Sequence, residues 1–220
     1  MSPRRSPVNI DGTALRAYGG EGGDTRVARR RAALIEAALE SLGGTGGGAI
    51  TVRGVCKMAG LTARYFYESF DSVEQLVAEA FDGVIAEITD AALAGFHDGA
   101  TPGDKVRRGV EAIVDVIADD PRKGRLLFSQ ELLSPTLAQR RLQSTDMFAL
   151  LTVESASDIF SAGSSPHVIA GAHFRVGGFA RVLAAWLDGH VELTRAEMID
   201  VCADLLLARA AVAPNRTGGE

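Results

Sequence analysis

A single glycine, Gly60, separates two short helical patterns within TVRGVCKMAGLTARYFYESFDSVEQL, residues 51–76. Thr51 can cap the first pattern, which sets Val52, Val55 and Ala59 on one side at helical spacing. Gly60 then supplies the turn, because glycine enters a left-handed conformation without steric cost. Leu61 leads into a second helix expected from Thr62 to about Phe70. Two short helices joined by so tight a turn have the shape of a helix-turn-helix, whose second helix lies in the DNA major groove.

At ~100° per residue, Phe66 and Phe70 stack on one edge of the second helix, flanked by Ala63, Thr62 and Ser69. Burial of the two phenylalanines turns Arg64, Tyr65, Tyr67 and Glu68 outward. Arginine can bond guanine O6 and N7 with two parallel hydrogen bonds, and tyrosine hydroxyls can bond phosphate oxygens. The expected DNA contacts are therefore Arg64 to a base, with Tyr65 and Ala63 secondary, and Thr51, Thr62 and Tyr67 to phosphates. Glu68 lies one turn beyond Arg64, where it can hold the arginine or accept from a cytosine amino group.

The run Ala59 to Leu76 resembles the DNA-binding signature of the TetR family of transcriptional regulators. That signature is Ala-Gly-(Val/Leu)-(Ser/Thr), three variable residues ending in a hydrophobic one, Tyr, two more, Phe, and then an acidic-x-Leu. Ala59, Gly60, Leu61, Thr62, Phe66, Tyr67, Phe70, Glu74 and Leu76 supply it in register. Many members place a phosphate-contacting lysine one residue before the acidic position, and here that residue is Val73. The resemblance implies a dimeric regulator that binds a palindromic operator in double-stranded DNA. It also implies a helical C-terminal domain with a small-molecule effector pocket, and a four-helix dimer interface made by the last two helices of each subunit.

The net charge of −5 bears on a DNA partner only once it is divided along the chain. Residues 1–76 carry ten Lys/Arg against eight Asp/Glu, and residues 77–220 carry thirteen against twenty. The N-terminal part is thus +2 and the remainder −7, which favours an N-terminal DNA contact. Cys56 and Cys202, two cysteines far apart, suggest a reduced cytoplasmic protein without a disulfide framework. No uninterrupted apolar run of ~18 residues occurs, so no membrane partner is expected.

Residues 1–24, rich in Gly, Pro and Arg, are expected to be disordered, with Arg4, Arg5 and Arg16 available to phosphates or simply solvated. A helix is expected from Arg26, with Val27, Leu34, Ile35, Ala38, Leu39 and Leu42 on one face. Arg29, Arg30 and Arg31 near its start oppose the helix dipole, as a phosphate-facing cluster or a solvated charge run. The stretch LGGTGGGA lacks the Gly-Lys-Ser/Thr of a phosphate loop and is expected to be a flexible link. Ser72 and Gln75 make a capping box for a long connecting helix running to about Leu93. Thr101-Pro102, Asp120-Pro121, Ser134-Pro135 and Ser165-Pro166 each pair a cap with a first-turn proline. Gly189 ends the penultimate helix, and Thr194 with Glu197 opens a last one through about Ala211. No strand, repeat or hairpin signal accompanies them, so the expected fold is all-α with about nine helices. The expected units are 25–72 for DNA binding, 73–212 for effector binding and dimerisation, and a disordered tail over 213–220.

The histidines (His97, His167, His173 and His190) show no metal-ligand spacing, and no nucleophile elbow or Cys-His pairing occurs, so neither cofactor nor enzymatic activity is expected. Phe96, Phe128, Met147, Phe148, His173, Phe174 and Trp186 either line a cavity for a largely apolar effector or fill the core. Residues 166–188 and 195–211 are apolar on more than one face, which fits burial or pairing across an interface. Gly171, Gly177, Gly178 and Ala180 would admit a second backbone, with Leu183, Leu205 and Leu206 as apolar partners. The main reading is a regulator, with repression relieved by an effector. A helical ligand-binding or adaptor protein keeping a vestigial turn motif, and an all-α enzyme, stand as alternatives.

Overall fold

The computed structural model describes residues 23–44, 50–129, 134–160 and 165–208. Among these there are nine helices and no strand. They are α1 (Gly23–Gly43), α2 (Val52–Ala59), α3 (Ala63–Tyr67), α4 (Val73–Asp98), α5 (Pro102–Asp119), α6 (Pro121–Phe128), α7 (Pro135–Phe160), α8 (Pro166–Leu187) and α9 (Arg195–Leu207). The expected arm over 1–24 falls outside the described residues as far as 22, and Gly23 and Asp24 already belong to α1. Most of the glycine link, the C-terminal tail and the expected extension of α9 beyond Ala208 also lie outside them.

Local chemistry starts most of these helices. The hydroxyl oxygens of Thr51, Ser72 and Thr101 accept from backbone N–H groups three residues on, at 3.1, 3.2 and 3.1 Å. Pro102, Pro121, Pro135 and Pro166 each occupy a first helical position, where a missing N–H costs nothing. Thr194 and Glu197 form the full reciprocal capping box. Gln75 departs from that pattern, since its side-chain oxygen accepts from Asp71 N–H, one residue before the cap. Gly60 ends α2 at φ +65°, and Leu61 N–H then reaches back to the Cys56 carbonyl at 2.8 Å. Gly189 ends α8 in the same left-handed way at φ +73°.

Packing then joins these pieces into one core. Phe66 and Phe70 are buried with Leu34 of α1 and Leu76 of α4, which fixes α3 despite its five residues. Isolated, so short a helix would not persist, so tertiary burial supplies its stability. The core continues through Phe81, Val84 and Ile88 of α4 to Val110, Val114 and Ile117 of α5 and Met198 of α9. Helix α4 reaches Asp98, one turn past the expected end, because its C-terminal part packs along α5. The two backbones meet closely at Gly95, where an added Cβ would lie 2.6 Å from the Arg108 carbonyl oxygen.

Helix α6 is clamped onto α1. Arg122 donates to Glu36 at 2.7 Å, to Glu40 at 2.9 Å and to Asp120 at 2.8 Å, while Arg125 donates to the Gly43 carbonyl. Asp120 is at once the α6 cap, accepting from Arg122 N–H at 3.1 Å. The Arg122 hydrogen bonds hold the Asp120 carboxyl below its ordinary range despite partial burial.

Two stability predictions follow from these contacts. Gly95→Ala should cost ~1–3 kcal/mol through overpacking, whereas Gly83→Ala, in the same helix with open space around it, should be neutral or stabilising by ~0.5–1 kcal/mol. Denaturant titration of both variants decides it, and equal behaviour would contradict the close approach. Asp120→Asn keeps a competent cap but removes the charge. Because the folded pKa is lowered, the carboxylate's contribution is present above its unfolded value near ~4 and lost as pH falls through the folded value. The stability gap between wild type and variant should therefore be open at pH ~7 and close below pH ~4 in urea melts.

Candidate nucleic-acid face and interior cavity

The outward face of α3 is built on a buried floor. The Phe66 ring packs edge-on against Tyr67 at 5.3 Å and tilted against Phe70 at 5.9 Å. With that edge inside, Thr62, Ala63, Arg64, Tyr67 and Glu68 are exposed. Thr62 makes no capping bond with its side chain, so its hydroxyl is uncommitted. Thr51 accepts at its oxygen from Gly54 N–H and retains its hydroxyl proton for donation. Arg64 pairs with Glu68 through Nε at 3.0 Å, and its side chain is 85% exposed. Engaging Nε leaves the two terminal nitrogens as a fork directed away from the pair.

Tyr65 is only half exposed, unlike the other residues of that face. The Arg30 guanidinium lies over its ring at 4.2 Å and approaches the Glu68 carboxylate at 3.9 Å. Arg31 donates to the Ser69 carbonyl and the Glu79 carboxylate, and lies over the Phe70 ring at 4.3 Å. Two members of the Arg29–Arg31 run therefore fasten α1 to α3 and α4 rather than forming a solvated run. Arg53 and Lys57, four residues apart on α2, are exposed and were not picked out by the sequence. Their signal was available, since they fall opposite Val52, Val55 and Ala59 on the helical wheel.

A cavity of about 510 Å³ lies between α4, α5, α6, α7, α8 and α9. Such a volume suits a small organic ligand. Its walls are apolar: Phe81, Ile85 and Ile88 from α4, Val110 and Ile113 from α5, Phe128 from α6, Phe148 from α7 and Phe179 from α8. Polar groups come from Arg141, Ser144, Thr145 and Thr152 of α7 and Arg181 of α8.

Of the seven candidate cavity residues, Phe128 and Phe148 line the space and the other five do not. Helix α8 presents Val176, Phe179, Ala180, Leu183 and Ala184 inward, so Phe174 emerges on its far side, whereas His173 is exposed on the α7 side one turn before the cavity. Phe174 is 82% exposed, and the ring of His173 sits 3.7 Å from Asp146. Trp186 donates its indole N–H to the Leu193 carbonyl at 2.8 Å, joining α8 to the turn before α9. Phe96 is half-buried beneath Lys105, whose ammonium is 5.5 Å from the ring. Met147 is half-buried on α7 without reaching the cavity.

The same rotation divides the candidate interface residues. Ala180, Leu183 and Leu206 face the cavity. Gly177, Gly178 and Leu205 are exposed, and Gly171 is intermediate. With Phe174, Ile169 and Val201 they leave an apolar surface on α8 and α9. By length and composition alone, α8 is apolar enough to cross a membrane. It nevertheless carries Arg175 and Arg181 and packs along α7. Cys56 and Cys202 are buried free thiols with pKa values pushed up by desolvation. Among the described residues no group of His, Cys, Asp and Glu is arranged to hold a metal ion.

No family model matches the chain. A stretch of 77 residues is 32% identical to the HTH-type transcriptional regulator BetI of Rhizobium meliloti (strain 1021), covering 35% of this chain and 38% of that protein. The match thus spans well under half of that relative. Solved structures resemble the chain over much more of its length. A TetR-family regulator from Syntrophomonas wolfei superposes with a TM-score of 0.70 at 14% identity, covering 84% of this chain and 99% of that one. The fatty acid degradation regulator FadR of Bacillus halodurans gives a TM-score of 0.69 at 15% identity, covering 85% and 96%. FadR of Bacillus subtilis, solved with stearoyl-CoA, gives 0.67 at 15%, covering 80% and 97%.

Proposed function

We propose that this chain, which has the all-α fold of the TetR-like transcriptional regulators, is itself a cytoplasmic DNA-binding regulator and a repressor relieved by a small apolar effector. The observation that carries the reading is the α3 face: Thr62, Arg64, Tyr67 and Glu68 exposed on a helix whose Phe66 and Phe70 are buried. Similarity of part of the chain to a transcriptional regulator supports it.

In this reading α1–α3 form the DNA-binding unit and α4–α9 the effector and dimer unit. The free fork of Arg64 bonds a guanine edge while Glu68 holds its Nε side. Thr51, Thr62 and Tyr67 donate hydroxyls to phosphates, and Arg53 and Lys57 add charge at the same end of the molecule. Two copies pair through the exposed surface of α8 and α9, where Gly177 and Gly178 admit close approach and Phe174 and Leu205 are covered. Pairing matches the two half-sites of a palindromic operator. The effector occupies the cavity in a state whose two α3 helices are mis-spaced for successive major grooves. Differential affinity for the two states releases the DNA. Helix α6 offers the physical route, since one end is clamped on α1 by Arg122 and the other contributes Phe128 to the cavity. Nothing in this mechanism requires catalysis or a cofactor.

Selection of bound sequences from random duplex DNA tests the reading, with an enriched inverted repeat expected. No enrichment, or binding insensitive to salt, would count against it. Arg64→Ala should relax preference at one symmetric pair of positions and cost ~1–3 kcal/mol per half-site. A uniform loss across all sequences would instead assign Arg64 to the backbone.

A further inference from the structure

Two consecutive arginines of α7 have opposite situations. Arg140 points to the surface and pairs with Asp82 at 3.1 Å. Arg141 turns into the cavity wall and, among the described residues, has no carboxylate partner. Its Nη2 donates to the carbonyls of Leu126 and Ser129 at 3.2 and 2.8 Å, at the C-terminal end of α6. Capping α6 accounts for that nitrogen. It leaves Nε, which is shut off from solvent and has no hydrogen-bond partner.

The rest of the cavity sharpens what this guanidinium can meet. Ser144, Thr145 and Thr152 each spend their hydroxyl proton on a carbonyl of their own helix, at 2.8, 2.9 and 2.8 Å. Arg181 lines the space from an exposed position. Among the described residues no Asp or Glu lines it. Those residues therefore give the cavity a large apolar wall and two guanidiniums without a counter-charge. A desolvated cation without a partner is unfavourable, and an acceptor that carries charge relieves it best. Burial weakens the protonated form of Arg141, as expected of a charge that lacks its counter-ion.

We propose that the cavity takes an apolar carboxylate, and that Arg141 anchors its head group while the α4, α5 and α8 side chains enclose its body. This deepens the effector reading above and rests on it. The planar guanidinium suits a carboxylate because both present matching parallel edges. A cationic ligand would place like charges together, and a neutral one would leave the guanidinium uncompensated.

Three probes with one tail separate these cases on the full wild-type chain: dodecanoate, 1-dodecanol and dodecyltrimethylammonium, followed by isothermal titration. Dodecanoate should bind at least ~tenfold more tightly than the alcohol, the scale of one charge-assisted hydrogen bond, and the cation should bind most weakly. Arg141→Gln keeps a donor for the Leu126 and Ser129 carbonyls without the charge. It should bring dodecanoate close to the alcohol and leave the alcohol unchanged. Circular dichroism verifies its fold, and if it does not fold, the head-group series on wild type decides alone. Equal binding of acid and alcohol, an undiminished preference in the variant, or no binding of dodecanoate would overturn the proposal. So would tight, Arg141-independent binding of dodecanoyl-CoA with weak binding of the free acid, although the cavity would then remain an effector site. DNA binding is measured separately. A chain that holds dodecanoate through Arg141 yet binds no DNA keeps the anchor and loses the regulator.

Discussion

Burial along α4 is the constraint on which the rest of the molecule depends. Its first turns close the core under α3, with Leu76, Val77 and Ala80 beside Phe66 and Phe70. Over the next turns the same stripe supplies Phe81, Ile85 and Ile88 to the cavity. Helical periodicity keeps both sets on one side, so a single rigid element supports the exposed α3 face at one end and lines the cavity at the other. Packed interiors do not deform continuously, and a displaced wall at one end moves the stripe as a body. The close crossing at Gly95 fastens the far end to α5.

Helix α6 adds a second, polar link of a different kind. Its eight residues bury Leu126 and Leu127 in the core, and charge-assisted contacts fix it further. Arg122 and Arg125 hold its start and middle on the last turns of α1, and Arg141 caps its end. Charge-assisted hydrogen bonds are directional, so they break or hold as a set when a helix rotates, whereas apolar contacts slide. A ligand head group competing for the Arg141 guanidinium would act on the very residue that caps α6. Such a ligand therefore bears on α1 through two residues of a short helix, without any need for a diffuse pathway.

What was legible in the sequence was local. Thr51, Gly60, Ser72, Gly189 and the Thr194–Glu197 pair announce helix ends because caps act through their own backbone neighbours. The prolines do so for the same reason. Phe66 and Phe70 were legible as buried because a helix that short has only one side to hide. The cavity was not legible, since it depends on how α8 is rotated against α7, and residues 166–188 are apolar around most of the helix. Phe174 and Phe179 look alike in sequence, yet one is 82% exposed and the other lines the cavity. Arg141 gave no signal at all, because a buried guanidinium is defined by neighbours from a different helix. The Arg29–Arg31 run illustrates the opposite error, where proximity in sequence suggested a shared role that tertiary contacts divide.

That division bears on how such a protein could hold DNA. Arg30 and Arg31 are engaged with Tyr65, Glu68, Glu79 and the Ser69 carbonyl, so they serve the fold first. Val73 stands where many TetR-family members place a phosphate-contacting lysine, and Glu68 adds a negative charge to the α3 face. Exposed positive charge there falls mainly to Arg53, Lys57 and Arg64. In the proposed reading, few phosphates neutralised by the described residues would mean little counterion release from them and a shallow contribution to salt dependence. Discrimination then has to come from orientation, and here the Arg30 contact gains a purpose. By lying over Tyr65 and approaching Glu68, Arg30 adds a second cation beside the carboxylate that pairs with Arg64, which in the proposed reading would help orient the fork toward a base. An oriented donor loses less freedom on binding than a long side chain free in solvent. Under the proposed pairing, two such faces would double the gain without adding charge, which would let a chain of net −5 read DNA.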